Sequence, residues 1–431
     1  MVRVLTCGSV DDGKSTLIGR LLWDAADLPD DTRATIMASA GADGIPDVSL
    51  LLDGLEAERA QGITIDVAWR YFDLASRRYV IIDCPGHEQY TRNMATGASQ
   101  ADIAIMLIDA RQGIKLQTRR HAAILELVGI KEVILAINKM DLVDWSEAVY
   151  RAIADEFAAL SARSGFERAV AIPVASKPGD NIARRSERLR WFNGPTLLDA
   201  LEATSRSLAT ATRPFRFPVQ RVTRASRDFR GLAGTVASGG VAVGSEIVEV
   251  LSGKRALVKR IATFDGDQPT ATAGDAVTIV LDRDLDIARG GLLASPSEPA
   301  TAATDLEVQL VWLADTGPGH SGLLFRTTTD LVPVSEFRVI ARMDLQTLQK
   351  TAAASCGAND VADARIKLGR GVAVDRFAAD HATGHFILVD ALTGATVAGG
   401  IVADIVQDKE ARSGDVFRLT RALLETTVCA D

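Results

Sequence analysis

The chain has 431 residues, of which 47% are hydrophobic and 24% are charged, and its formal net charge at pH 7 is −8. This length suffices for about three domains with their own cores, and the acidic balance argues against a large nucleic-acid-binding surface. No apolar run approaches the roughly 18 residues of a membrane span, and four scattered cysteines without CxxC spacing favour a reducing, cytoplasmic location.

The first predicted elements are a strand, a loop and a helix. The loop GSVDDGKS, Gly8 to Ser15, follows the apolar run VRVLTC and precedes KSTLIGRLLW, which is apolar at helical spacing. It fits GxxxxGK[ST], in which backbone N–H groups surround a phosphate while lysine and hydroxyl reach the terminal phosphate and its Mg²⁺. A glycine turn without a ligand is the alternative for this motif alone. The helix N-terminus favours the phosphate because it attracts anions.

Residues 1 to about 208 alternate strand-like runs with longer amphipathic stretches. The runs are RYVIIDC, IAIMLIDA, EVILAINK and AVAIPVAS. This alternation predicts a mainly parallel sheet with helices on both faces, in which ligands lie at the carboxyl ends of the strands. We therefore predict an α/β domain over residues 1–208.

Two further motifs of this domain follow predicted strands. In IIDCPGH, Asp83 can hold Mg²⁺ through water, and Gly86 can bring its N–H to a γ-phosphate without a Cβ in the way. In NKMD, the Asp141 carboxylate can accept hydrogen bonds from guanine N1–H and the amino group, whereas adenine has no donor at N1. Either motif alone is weak, since an aspartate at a strand end is more often a helix cap. Their order along the chain predicts a guanine-nucleotide site.

The pattern changes after LATATRP, which we interpret as a linker. Short strands punctuated by glycine follow, as in GLAGTVASGGVAVGSEIVEVLSG, and a second all-β stretch starts near Ala300. Such patterns indicate β-barrels. The predicted fold class is an α/β P-loop GTPase domain followed by β-barrel domains over residues 215–298 and 302–431.

The chain resembles the translation-factor GTPases and, within them, the large GTP-binding subunits of sulfate adenylyltransferases. The resemblance is carried by the blocks LTCGSVDDGKSTLIGRLL, LLDGLEAERAQGITIDVAWRYF, PGHEQYTRNMATGASQADIAIMLIDAR, NKMDLVD and RWFNGPTLLDALE, and extends into DFRGLAGTVASGGVAVGSEI. It implies a GTPase that couples GTP hydrolysis to the formation of adenylylsulfate from ATP and sulfate. Adenylyl transfer is then expected on a smaller partner subunit, in a heterodimer or larger complex, with neither nucleic acid nor membrane as partner.

This interpretation has one alternative function, and one extension found in some relatives is not expected. An elongation factor that carries aminoacyl-tRNA would have the same domain order and the same GTPase chemistry. Some relatives continue into a fused adenylylsulfate kinase domain, which we do not expect here because no second GxxxxGK[ST] occurs in the sequence.

The resemblance also implies roles for individual residues. Lys14 contacts the β- and γ-phosphates, Ser15, Thr64 and Asp83 hold Mg²⁺, and His87 orients the attacking water, so that His87, Lys14 and Thr64 form the catalytic set. Contacts to GTP or GDP are implied for Gly8, Ser9, Val10, Asp11, Asp12, Gly13, Lys14, Ser15, Thr16, Asp83, Cys84, Pro85, Gly86, His87, Asn138, Lys139, Met140, Asp141, Ala175, Ser176 and Lys177.

The sequence supports a more specific expectation for Asp11, for the run DGLEAERAQG and for VASKPGDN. Asp11 is a candidate ligand of a monovalent cation, with a solvated loop carboxylate as the alternative. The charged run DGLEAERAQG, just before Thr64, is expected to be a switch segment. VASKPGDN stands where the family has SALKGDN, with serine and alanine exchanged, and we assign the guanine contact to the backbone of Ser176.

Overall fold

A computed structural model describes residues 1–26, 28–41, 44–52, 66–74, 77–204, 213–226, 229–318 and 322–406. Thr64, the expected switch segment 53–62 and most of the predicted linker lie outside these ranges.

The described part of the N-terminal region forms a six-stranded sheet in the order β2-β3-β1-β4-β5-β6, in which only β2 is antiparallel to its neighbour. The strands are β1 Val2–Gly8, β2 Ala68–Leu74, β3 Arg77–Asp83, β4 Ile103–Asp109, β5 Glu132–Asn138 and β6 Arg168–Pro173. The helices are α1 Lys14–Ala25, α2 Asp30–Ala38, α3 Thr91–Ala98, α4 Leu116–Leu127, α5 Glu147–Arg163 and α6 Leu197–Glu202. Short 3₁₀ helices span Val48–Leu51, Glu88–Tyr90, Met140–Val143 and Glu187–Leu189.

Both faces of this sheet are covered by helices. Leu5 and Cys7 of β1 pack in a core with residues of α3, α4 and α5, whereas Val4 packs with α1 and α6 on the other face. Every residue of β4 is buried. A strand buried on both faces reads as a continuous apolar run, which is why these strands are visible in the sequence.

The carboxyl ends of the parallel strands lie at one edge of the sheet. Asp83 at the end of β3 is in register with Thr6 of β1, and Asp109 at the end of β4 is in register with Asn138 of β5. The loops that follow these strands therefore meet in space, as expected for a ligand site of an open α/β sheet.

The described residues from 216 onward form two antiparallel barrels. In the first, the order β10-β15-β7-β8-β14-β11 is closed by pairing of β10 with β11, β12 adds to β11, and β9 pairs with β13. In the second, the order β17-β21-β22-β16-β20-β18 is closed by pairing of β17 with β18, and β19 adds to β18. The first barrel comprises β7 Arg216–Ser226, β8 Phe229–Thr235, β9 Gly240–Ala242, β10 Glu246–Glu249, β11 Arg255–Thr263, β12 Gly266–Gln268, β13 Thr270–Thr272, β14 Ala276–Leu281 and β15 Leu292–Ala294. The second comprises β16 Thr301–Trp312, β17 Leu323–Arg326, β18 Leu331–Asp344, β19 Gln349–Ala352, β20 Val361–Val374, β21 His385–Asp390 and β22 Thr396–Ile405.

This architecture confirms the predicted fold class. The predicted domain limits stay predictions, and two of them, residues 208 and 431, lie outside the described ranges.

The barrels are joined to each other by a buried ion pair. Arg216 of the first barrel donates two hydrogen bonds to Asp375 of the second, at 2.8 and 2.9 Å. Thr383 Oγ1 donates a third bond to the same carboxylate at 2.6 Å. A buried pair with its hydrogen bonds satisfied resists separation, because removing one partner leaves a buried charge uncompensated.

The second barrel also contacts the α/β domain. Val311 and Val361 of the barrel belong to the core that includes α4 and α5. Asn359 Nδ2 lies 3.3 Å from the carbonyl oxygen of Glu88, the residue after His87. This contact places the second barrel beside the segment that follows the DCPGH motif.

Candidate nucleotide-binding site

The phosphate loop depends on a left-handed backbone at two positions. Asp11 and Gly13 have φ angles of 64° and 95°. A Cβ on Gly13 would lie 2.5 Å from Asn138 Nδ2, so the position requires glycine for both conformation and space. Helix α1 begins at the next residue, Lys14, and its free N–H groups therefore face the loop.

Lys14 is buried within this loop. Its Nζ donates to the carbonyl oxygens of Gly8 at 3.0 Å and Ser9 at 2.9 Å. Burial lowers the pKa of the Lys14 ammonium below its ordinary value, while the charges of Asp83 and Asp12 oppose that shift. An anion in the loop would stabilise the charged ammonium further, because opposite charges attract strongly where water is excluded.

The DCPGH motif packs directly against the phosphate loop. A Cβ on Gly86 would lie 2.3 Å from Lys14 Nζ and 2.5 Å from the carbonyl oxygen of Gly8, so only glycine allows this approach. Asp83 is buried and accepts a hydrogen bond from Thr6 Oγ1 at 3.2 Å. The two motifs predicted from separate parts of the sequence therefore meet at one place.

His87 is partly exposed at the start of the 3₁₀ helix Glu88–Tyr90. Its Nδ1 accepts a hydrogen bond from the backbone N–H of Gln89 at 3.4 Å, and its ring lies 6.0 Å from the Tyr90 ring, centroid to centroid. Glu88 is held by Arg120 of α4 through an ion pair of 2.8 Å. The segment that follows the histidine is thus held by α4.

Asn138 connects the base loop, residues 138–141 of the NKMD motif, to its neighbours. Its Nδ2 donates to the carbonyl oxygen of Asp12 at 2.8 Å, and its Oδ1 accepts from Ser176 N at 2.9 Å and Ser176 Oγ at 2.8 Å. The Ser176 amide, which we assigned to guanine, has a protein acceptor in this arrangement. Asp141 lies partly exposed on the 3₁₀ helix Met140–Val143, anchored by the fully buried Met140.

Three further residues of the site, Lys115, Asp109 and Arg111, were not predicted from the sequence. Lys115 Nζ lies 3.7 Å from Asp12 Oδ1, and the other oxygen of Asp12 accepts from Ser9 N at 2.6 Å. Burial raises the pKa of Asp12, and Lys115 opposes this effect. Asp109 pairs with Arg111 and with Lys139. The available signal was that Asp109 ends an apolar strand, as Asp83 does.

Two models of known protein families match this chain. One, the elongation factor Tu GTP binding domain, matches residues 1–207, and the other, the GTP-eEF1A C-terminal domain-like family, matches residues 305–403. The match to a GTP binding domain makes GTP and GDP the nucleotides of this site.

Curated relatives match nearly the whole chain. The bifunctional enzyme NodQ of Rhizobium sp. (strain N33) is 46% identical over 98% of this chain and 67% of the relative. Sulfate adenylyltransferase subunit 1 of Saccharophagus degradans is 42% identical over 96% of this chain and 89% of the relative. This chain belongs to the sulfate adenylyltransferase subunit 1 family. The resemblance predicted from the sequence is thereby confirmed.

This member of the subunit 1 family spans about two thirds of the length of the NodQ relatives. A solved structure, that of sup35 complexed with GMPPNP, is 24% identical over 94% of both chains, with a TM-score of 0.42. In the part of the chain that the structure describes, no helix combines the length and apolar character that crossing a membrane requires.

We expect Lys14→Ala to weaken GTP and GDP binding on the order of tenfold to a hundredfold. The substitution removes a charge-assisted contact to the phosphates, which typically contributes about 1.5 to 3 kcal/mol. Calorimetric titration with GDP measures the effect. An unchanged affinity would exclude this loop as the phosphate site.

Proposed function

We propose that this chain is the GTP-hydrolysing subunit of a sulfate adenylyltransferase and couples GTP hydrolysis to the synthesis of adenylylsulfate from ATP and sulfate. The observation that carries the proposal is the convergence of three motifs. The phosphate loop, DCPGH and NKMD lie at one sheet edge, with Gly86 against Lys14 and Asn138 bonded to Asp12. Membership in the subunit 1 family supplies the reaction to which hydrolysis is coupled.

The chemistry of sulfate activation explains why a GTPase belongs in such an enzyme. Joining sulfate to AMP forms a high-energy phosphate–sulfate anhydride, so the equilibrium lies far toward ATP and sulfate. Hydrolysis of a second nucleotide can drive the reaction only when each adenylyl transfer is tied to a GTP turnover. The GTPase subunit therefore requires a switch between GTP-bound and GDP-bound states.

The residues near the phosphates fit a Mg²⁺ ion. The hydroxyl of Ser15 and the carboxylate of Asp83 are hard oxygen donors of the kind this ion prefers. Ser15 follows Lys14 at the start of α1, and Asp83 ends β3, three residues before Gly86, which packs against Lys14. Thr64, outside the described residues, is the proposed third ligand. When bound, Mg²⁺ neutralises charge on the β- and γ-phosphates.

The remaining residues of the site contact the guanine base or position the attacking water. Asp141 accepts from the guanine edge, and the stem of Lys139 covers the ring. His87 holds the attacking water in line with the leaving oxygen, because phosphoryl transfer is catalysed mainly by positioning and charge stabilisation. Asp11 stays the candidate ligand for a monovalent cation.

The proposed partner is a second, smaller subunit that carries out adenylyl transfer. The family name, subunit 1, belongs to a multi-subunit enzyme. We place the complex in the cytoplasm, since the three cysteines that the structure describes are buried and unbridged, as is usual in a reducing compartment.

Co-purification tests the partner directly. The chain, mixed with the adenylyl-transferring subunit encoded by the same organism, should elute as one complex on size-exclusion chromatography. Aminoacyl-tRNA with GTP serves as the competing ligand. Binding of aminoacyl-tRNA without binding of the subunit would favour an elongation factor and overturn the proposal.

A further inference from the structure

Asp109 is a buried carboxylate at the centre of the nucleotide edge of the sheet. It ends β4, which lies between β1 and β5, and its side chain is 0% exposed. Arg111 donates to both of its oxygens, at 3.0 and 2.6 Å, and Arg111 N adds a bond of 3.0 Å. Lys139 Nζ lies 3.1 Å from Oδ2 of the same carboxylate. None of the roles proposed above uses Asp109.

Lys139 belongs to the base loop and contacts both this carboxylate and the phosphate loop. Its backbone is left-handed, with φ of 63°, and its Nζ also donates to the carbonyl oxygen of Asp11 in the phosphate loop. A lysine side chain is flexible and strongly hydrated, so an ammonium without a fixed partner extends into water. Here two acceptors hold the ammonium between the base loop and the phosphate loop.

Asp109 stays charged despite its burial. Burial acts to raise the pKa of this carboxyl, but hydrogen bonds from Arg111 and Lys139 outweigh it and hold the pKa well below its ordinary value. An ionised carboxylate in a site of low dielectric attracts an ammonium far more strongly than one in water. The carboxylate is buried and the side chain of Lys139 is 23% exposed, so water and salt screen this pair less than a pair on the open surface.

We propose that Asp109 is a positioning residue for nucleotide binding: its carboxylate holds Lys139 against the phosphate loop, so that the base loop and the phosphate loop keep the spacing that one bound nucleotide requires. Arg111 occupies the outer side of the carboxylate and keeps it oriented toward Lys139. The inference rests on the proposed function, because it presupposes a guanine nucleotide at this edge.

A double-mutant cycle with GDP as the ligand separates this role from a general structural one. Asp109→Asn, Lys139→Ala and the double variant are titrated by calorimetry, with the parent chain as reference. We expect each single variant to bind GDP on the order of tenfold more weakly. The double variant should match Lys139→Ala within about twofold, because Asp109 acts through Lys139.

Two results of this cycle would overturn the inference. One is a double variant whose loss equals the product of the two single losses, since Asp109 would then act independently of Lys139. The other is Asp109→Asn with the affinity of the parent. The matched control is Asp73→Asn, which breaks an exposed ion pair with Arg78 of 2.9 Å on the edge of the same sheet and should leave GDP affinity unchanged.

Thermal unfolding of each variant shows whether it folds. A second pair of variants tests the inference if Asp109→Asn does not fold. Lys139→Arg and Lys139→Met both keep a long side chain, but only arginine can pair with Asp109. Binding of GDP on the order of tenfold tighter by Lys139→Arg than by Lys139→Met supports the inference. Equal affinities of the two variants contradict it. A parent chain that fails to bind GDP would instead overturn the proposed function itself.

Discussion

Asp141→Asn should transfer the nucleotide preference of this chain from guanine to xanthine. In the proposed site the carboxylate accepts hydrogen bonds from N1–H and the amino group of guanine, whereas an amide would present donors that suit the C2 carbonyl of xanthine. Leaving buried polar groups unpaired discriminates strongly between otherwise similar ligands, so we expect GTP affinity to fall on the order of a hundredfold or more. Competition between GTP and xanthosine triphosphate for the variant measures the change.

The same loop offers a matched control for this prediction. Asp144 is exposed three residues further on, with a φ of 51° that asparagine tolerates. Asp144→Asn should keep the preference of the parent. If Asp141→Asn bound GTP as tightly as the parent, and xanthosine triphosphate no better, the assignment of Asp141 to the base would be wrong.

His87→Ala should separate nucleotide binding from turnover. The imidazole follows Gly86, which packs against Lys14, the residue proposed to contact the β- and γ-phosphates. Its proposed role is to position the attacking water and not to hold the nucleotide. GTP affinity should stay within a few fold, while the hydrolysis rate falls on the order of a hundredfold, an effect of about 3 kcal/mol on the barrier.

Single-turnover hydrolysis at saturating GTP isolates this step from nucleotide exchange. His385→Ala is the control, because His385 is an exposed histidine on the second barrel and belongs to none of the nucleotide loops. Normal hydrolysis by His87→Ala would show that His87 does not take part in catalysis.

The fold class could be predicted because its strands and turns leave local signals. The strand β4 is buried along its whole length and appears in the sequence as the run IAIMLID. The motif loops follow such runs, so the amino-acid sequence alone was enough to place Gly8, Asp83 and Asn138 at strand ends. The glycine-punctuated strands after residue 215 likewise indicated barrels.

Contacts between distant segments could not be predicted in this way. Asp109 and Lys139 are separated by a helix and a strand, and only the register of β4 against β5 brings their ends together. Lys115 and Asp12 meet for a similar reason. The ion pair of Arg216 with Asp375 spans 159 positions and depends on how the two barrels pack. Periodicity reports the burial of one segment and not its partner, so the sequence did not show which side chains these charged residues pair with.

If GTP turnover on this chain drives adenylylsulfate synthesis, the reconstituted complex should accumulate adenylylsulfate beyond the level that ATP and sulfate alone support. The complex is incubated with ATP and sulfate until product is constant, either without GTP, with GTP, or with a non-hydrolysable GTP analogue. Of the three incubations, we expect only the one with GTP to raise adenylylsulfate above the level reached without GTP, in step with the GTP consumed. We expect His87→Ala to remove that increase. The same final level of adenylylsulfate in all three incubations would contradict energy coupling by this chain.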